Sequence, residues 1–351
     1  MSTRHFIAMD THGKTTDICC KTKVNAKERR WHVATTIPAL REVLESIPRP
    51  RQVTFEEGPL ADWLYRELKG SVDEALVCDP RRNGLIAKDG DKDDPIDAGK
   101  LCDLYCGGYL RPVHHGDSLA RMVFKRQVGL YHERVAHRVS ESNKIIGRLK
   151  CFGVVVKEKD FEAKTDRDGL LEKVGSAPEL EVIKEQLRLL WKGYDTAVQQ
   201  ETLLRRQLLA AAREQEAIVR LTELPGVAWV RAATFVAYLD TPWRFKSKSA
   251  LWKYLGIGLV RERSGEGREW VHVERACNRR LKSMILGAAD CAIRQGDNPF
   301  ARQHDHWLKG GLSPRNARRN VARGMAAVMW GMWKNGGVYD PHRVGLAAVP
   351  G

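Results

Sequence analysis

The chain lacks the marks of several protein classes. It has eight cysteines but no CxxC pair. Cys102 and Cys106 stand four apart on a predicted helix, yet no nearby pair completes a zinc site. Reduced, buried thiols and a reducing compartment are therefore expected. No apolar run is long enough to span a bilayer, and Met1–His5 leads straight into a strand with no signal-peptide core. A cytoplasmic protein with no membrane partner is the expectation. No compact RNA-binding motif is present. Acidic residues are scarce in one region only. Residues 241–351 carry 8 Asp and Glu against 20 Lys and Arg, a surplus of 12 in a chain whose net charge is +15. Basic character concentrated at one end points to a phosphate-contacting surface there.

The 351 residues suffice for two or three domains at ~100–200 residues each. With 43% hydrophobic and 29% charged residues the composition is globular. Residues 5–115 read as alternating α/β. Strands are predicted at His5–Asp10, Thr16–Lys21, Trp31–Thr36, Val53–Phe55 and Ala75–Cys78. Cys19 and Cys20 should point to opposite faces of the second. Helices are predicted at Pro38–Ile47 and Leu60–Leu68 by their apolar spacing. Three strands, helix, strand, helix, strand, helix is the order of a ribonuclease-H-like fold, whose first three strands form an antiparallel meander.

From Ser118 to Leu221 the pattern turns helical. One helix is predicted at Leu119–Leu149. A second starts at Ser176-Ala177-Pro178-Glu179, which matches a capping box. Its Ile183, Leu187, Leu190, Tyr194, Ala197, Leu204, Leu208 and Ala211 keep heptad spacing, broken at Glu201. A long coiled-coil arm fits this spacing, with an ordinary core helix as the alternative. Leu221–Val227 resembles a helix-hairpin-helix turn, which would offer backbone N–H groups to a phosphate. A plain joint between helices is the other reading, since Ala228 stands where a second glycine is usual.

Two constellations carry chemistry. Asp10 ends one apolar run and Glu56 another, while Asp94 and Asp97 sit three apart at the start of a helix. Acids at two strand ends and an i, i+3 pair can converge on one point. Four carboxylates there repel one another unless cations sit between them. Hard oxygen ligands suit Mg²⁺, and paired ions of this kind serve phosphodiester cleavage. Glu57 is the alternative to Glu56, which period-two alternation favours. Asp94 before Pro95 also suits a helix N-cap. The second constellation is Arg261, Arg263, Ser264 and Arg268, followed by Arg279, Arg280 and Lys282. A serine hydroxyl can attack phosphorus where arginines bind the non-bridging oxygens. A turn or a solvated basic face is the bland alternative.

These residues, in this order, resemble the transposases of the insertion sequence 110 family, also called DEDD transposases. The matching pieces are FIAMD, VTFEEG, DDPIDAGKL, LTELPGVAWVRAATFVAYL, RFKSKSALWKYLGIGL, RERSGEGR and CNRRLKSMI. The resemblance implies a RuvC-like domain over residues 1–116, a coiled-coil or helical arm over 117–217, and a mostly helical transposase domain over 218–345. It implies that Asp10, Glu56, Asp94 and Asp97 hold Mg²⁺ and that Ser264 forms a 5′-phosphoserine link to DNA. It implies a homodimer or homotetramer, with the acidic site and the serine meeting across subunits. The implied partners are donor and target DNA and a structured non-coding guide RNA, in a bacterial or archaeal, nucleoid-associated setting. Glu57-Gly58, Asp93, Ala228 and Cys277 depart from the family's commoner residues and mark a divergent branch. Two other functions fit parts of the pattern. One is a RuvC-like metal nuclease or resolvase that uses activated water with no covalent intermediate. The other is a non-enzymatic nucleic-acid scaffold.

Overall fold

A computed structural model describes residues 3–82, 94–262 and 270–344, with the backbone alone described for Arg82, Asp94, Pro95, Glu262 and Arg343. The chain divides into two compact units, Met1–Asp117 and Ser118–Gly351.

In the first unit, β1 (His5–Thr11), β2 (Thr15–Lys21) and β3 (Arg29–Ala34) form the expected antiparallel meander. Then come α1 (Ile37–Glu45), β4 (Arg51–Glu56), α2 (Ala61–Leu68), β5 (Glu74–Cys78), α3 (Asp94–Cys106) and β6 (Pro112–Val113). The sheet order is β3-β2-β1-β4-β5-β6, with β1, β4 and β5 parallel and β6 antiparallel to β5. Both faces of β1 are covered, which is why its sequence is a continuous apolar run. Ile7 and Met9 pack with Val53, Phe55, Leu40, Leu44 and Leu64 on the face of α1 and α2. Ala8 packs with Cys78, Ala98, Leu101 and Cys102 on the face of α3. The adjacent cysteines of β2 divide as alternation requires, Cys20 joining the first cluster and Cys19 the second. Burial pushes the Cys20 thiol up to about 11, so it is a packing residue. None of the eight cysteines is in a disulfide, and four of them are buried.

The second unit opens with a helical hairpin. In α4 (Leu119–Lys150), Ser118 caps the N-terminus by accepting from the Arg121 amide. Two short helices, α5 (Lys159–Glu162) and α6 (Arg167–Val174), lead to α7 (Glu181–Arg213). The capping box expected at Ser176 does not form. Pro178–Leu180 is a 3₁₀ turn, and α7 begins after it with no side-chain cap. Helices α4 and α7 run antiparallel, since Arg134 meets Gln200 and Arg138 meets Glu201 while Ile145 shares a core with Leu187 and Trp191. Leu187, Tyr194, Ala197 and Leu208 of the heptad stripe are buried. Glu201, the break in that stripe, accepts from Arg138 (2.6 Å). Arg167, itself buried, makes a two-pronged contact with Asp195 (2.9 and 2.6 Å) and helps to close the distal end of the hairpin.

The other end of the hairpin merges into the C-terminal core. There lie α8 (Glu216–Leu221), α9 (Trp229–Leu239), α10 (Lys248–Tyr254), the antiparallel pair β7 (Leu259–Glu262) and β8 (Trp270–Val273), α11 (Arg279–Gln295), α12 (Pro299–Lys309) and α13 (Pro314–Asn335). Phe124, Val128, Leu208, Phe235, Leu281, Ile285, Ala288 and Met325 share one cluster. The turn between α8 and α9 lies against α11. The Gly226 carbonyl accepts from Arg231 (2.6 Å), and the α-carbon of Gly226 lies too close to Ala288 to carry a side chain. Among the described residues no helix is long and apolar enough to cross a membrane.

Candidate active site

Strand register sets Asp10 and Glu56 side by side. Strands β1 and β4 are parallel with Met9 opposite Phe55, so the next residue of each is the acid. Ala8 and Thr54, two residues earlier, face α3, and alternation sends Asp10 and Glu56 to that same face. Helix α3 runs back along β1. Ala98 lies beside Asp17 and Ile18, Cys102 donates its thiol to the Phe6 carbonyl (3.2 Å), and Tyr105 meets the Phe6 ring edge-on. The start of α3 is therefore at the end of the sheet where β1 and β4 finish. Asp97 sits in the first turn of α3, and its Oδ1 is buried with no hydrogen-bond partner among the described residues. A buried carboxylate oxygen with no donor costs folding free energy, so it requires an explanation. A cation is the natural partner for such an atom. Asp94 opens the same helix, with its side chain outside the described residues. Among the described residues no three His, Cys, Asp or Glu side chains are close enough to hold one ion between them. The backbone brings Asp10, Glu56 and the start of α3 to one corner of the sheet.

Glu57 lies on the opposite side and has a partner of its own. The buried imidazole of His115 donates from Nε2 to Glu57 Oε2 (2.5 Å). Its Nδ1 lies 2.8 Å from Asp62, without the alignment of a hydrogen bond. Burial alone would push this histidine down. The contacts with Asp62 and Glu57 outweigh it and raise the value to about 9. The folded-state value exceeds the unfolded one. The triad's contribution to stability is thus complete below about pH 6.5 and is lost as the pH rises through about 9. Melting temperatures of wild type and His115→Gln, taken at about pH 7 and about pH 10, should differ more at the lower pH. A pH-independent difference would show that His115 is not charged in the folded protein.

Asp17 is a residue that the strand pattern did not single out. It is paired across β1 and β2 with Asp10 and is almost fully buried. His32 Nδ1 lies 3.1 Å from both of its oxygens, and His12 Nε2 lies 3.5 Å from Asp10. Each of these neighbouring acids thus has a histidine beside it. A lone Asp between Thr16 and Ile18 reads as a solvent-facing strand position, and only the adjacent β3 reveals its burial.

In the second unit, Glu262 of β7 pairs with Trp270 of β8. Arg261 is exposed on β7. Arg263, Ser264 and Arg268 lie outside the described residues. Asn278 caps α11 by accepting from the Leu281 amide (3.1 Å), which sets Arg279 outward and exposed. Lys282 is half-buried. Arg280 is held within the bundle, donating to the Gly129 carbonyl (3.1 Å) and the Tyr238 hydroxyl (2.5 Å).

Residues 219–305 match the family described as the transposase IS116/IS110/IS902 family. Over that stretch the chain is similar to the IS110 family of transposases. The matched stretch runs from α8 into α12 and contains the β7–β8 pair and the positions 261–282. A Sinorhizobium fredii protein, y4pF/y4sB, described as a candidate transposase, is 25% identical over 255 residues. That alignment takes in 71% of this chain and 64% of its relative, so it extends well beyond the matched C-terminal stretch.

Proposed function

We propose that this chain is a DNA transposase of the IS110 family that acts as a site-specific recombinase, with a RuvC-like acidic site in the first unit and a serine nucleophile in the second. The observation that carries this reading is the corner of the sheet where Asp10 and Glu56 end adjacent strands beside the start of α3, together with the orphaned buried Oδ1 of Asp97. The sheet order, with an antiparallel meander followed by parallel strands, supports a ribonuclease-H-like frame.

Asp10, Glu56, Asp94 and Asp97 would hold Mg²⁺. What the ion supplies when bound is neutralisation of charge at the phosphodiester. The other residues act directly on the DNA. The Ser264 Oγ bonds to phosphorus, and the bond from phosphorus to the 3′ oxygen breaks. The serine proton is lost to solvent, and the departing 3′ oxygen takes up a proton as a hydroxyl. The DNA 5′ phosphate is left on the serine. Attack by a 3′ hydroxyl reverses these steps and rejoins the strand. Arg261, Arg263 and Arg268 neutralise the non-bridging oxygens, and Arg279 and Lys282 grip the flanking backbone, while Arg280, which the sequence grouped with them, is engaged by Gly129 and Tyr238 and braces α11. Ser264 and these cations all fall within the stretch that matches the family. The family resemblance supports a structured guide RNA that selects donor and target DNA by base pairing, while a homodimer or homotetramer of the protein holds the backbone.

The test is a cleavage reaction with the element's flanking RNA, its DNA ends and Mg²⁺, resolved on denaturing gels with and without protease. Wild type should give a protease-sensitive protein–DNA adduct, and Ser264→Ala should give neither adduct nor cut. Cleavage that survives in Ser264→Ala, with no adduct, would reduce the chemistry to that of a metal nuclease using activated water.

A further inference from the structure

A cleft of about 530 Å³ opens between the end of α11, the middle of α12 and the start of α13. It is lined by Asp290, Ile293, Arg294, His304, Arg315 and Arg318, so three arginines face a single carboxylate. Arg318 Nη1 lies 3.2 and 3.4 Å from the two Asp290 oxygens, while its Nε is buried with no acceptor among the described residues. Arg294 and Arg315 are exposed and meet no carboxylate among the described residues.

The Arg318–Asp290 pair alone could be a staple between α11 and α13, and an exposed arginine alone is an ordinary solvated residue. Their placement argues against so bland a role. Helix α13 opens at Pro314, and its first turn holds no acid, while Arg315, Arg318 and Arg319 crowd the first two turns. A helix N-terminus carries partial positive charge, so cations there are unfavourable and acids are the usual choice. The Ser313 side chain does not cap the helix either. Burial, and the Arg315 and Arg318 charges beside it, lower the Arg319 guanidinium below its ordinary value. Positive charge has been gathered where folding alone disfavours it. Such local violations are expected at functional sites. An anion in the cleft would relieve the repulsion between the arginines and lie at the positive end of α13. The cleft is far larger than one inorganic ion needs and is open, which suits a segment of a polymer.

We propose that this cleft binds the phosphodiester backbone of nucleic acid, held by Arg294, Arg315 and Arg318. Its Arg315 and Arg318 lie beyond residue 305, outside the family match, and it uses neither the acidic corner nor Ser264. Its failure and the failure of the recombinase reading are therefore separable.

The test is equilibrium binding of the full chain to a labelled random-sequence DNA duplex and, separately, to a labelled RNA hairpin. Both are run in EDTA to prevent cutting and are repeated over a salt series. Arg294→Ala/Arg315→Ala changes two exposed side chains and should leave the fold intact, which circular dichroism checks. Affinity should fall ~10–100-fold, and the slope of log K against log salt should shrink by about 1–2, independently of sequence. Arg294→Lys/Arg315→Lys should restore most of the binding. Loss confined to the RNA, or confined to the DNA, would support the site and name its source of phosphate. Wild-type affinity and salt slope for both ligands in the double alanine variant, and in Arg294→Glu/Arg315→Glu, would overturn it.

Discussion

Gly226→Ala should lower the melting temperature of the second unit more than any other single-methyl addition in it. Gly226 has φ of +78°, in the left-handed region where an alanine is strained. Space is lacking as well. An added Cβ would overlap the Ala288 carbonyl oxygen and lie 2.7 Å from the Ala292 amide nitrogen. Both are backbone atoms of α11, which cannot swing aside as a side chain can. Conformational strain of ~1 kcal/mol and overpacking of ~1–3 kcal/mol combine to a loss of about 2–4 kcal/mol. For a unit of this size that is a fall of roughly 5–15 °C. Gly331→Ala is the control. Gly331 lies inside α13 with nothing within 4 Å of an added Cβ, so the change should be neutral or stabilising. Thermal scans of the two variants side by side decide the matter. Equal melting points would mean that the α8–α9 turn does not rest on α11. The same contact accounts for the glycine of the Leu221–Val227 motif. Packing demands it there, as a joint between helices requires, with no phosphate needed to explain it.

Period-two and helical spacings were legible wherever a segment buries a face against its own neighbours in sequence. The run through Phe6, Ile7, Ala8 and Met9 reads as a strand covered on both sides, and the division of Cys19 from Cys20 follows from alternation alone. Partners distant in sequence were not legible. Glu56 and Glu57 differ in the sequence only by parity. The structure adds a partner for Glu57 in His115, 58 residues away. Arg280 looks like any cation of a basic helix, yet it spans to Gly129, 151 residues earlier. The Ser176 motif shows the converse failure. Its local pattern is complete, but the chain takes a 3₁₀ turn through Pro178, and the helix starts without the serine. The heptad stripe of α7 is real, and α4 of the same chain covers it, because two long antiparallel helices bury the same seam that a second copy would. The cleft beside α13 had no motif at all. Its arginines come from two helices, and only the packing of α11 on α13 makes them neighbours.

Asp97→Asn should abolish DNA cleavage while leaving the fold of the first unit undisturbed. The substitution keeps the shape of the side chain and removes its charge. If Asp97 serves a cation, the loss of one anionic oxygen at the reacting phosphate should cost at least ~10³-fold in rate, comparable with removing a preorganised charge-stabilising group. Stability should move the other way or not at all. The Asp97 Oδ1 is buried without a donor among the described residues, so the apoprotein gains little from the charge beyond its modest interaction with the start of α3. Apo melting points of the two proteins should therefore agree to within about 1 kcal/mol of stability. Adding Mg²⁺ should separate them. Wild type should gain ~1.4 kcal/mol at an ion concentration ten times its dissociation constant, and Asp97→Asn should gain nothing. This pair of measurements distinguishes a ligand from a structural acid. A variant that melts lower without metal and responds to Mg²⁺ as wild type does would make Asp97 a helix-start residue of purely structural value. A variant equal to wild type without metal, deaf to Mg²⁺ and inactive on DNA would fix Asp97 as part of the metal-holding corner. The unmet hydrogen-bonding capacity at the start of α3 would then be the folding cost of that role.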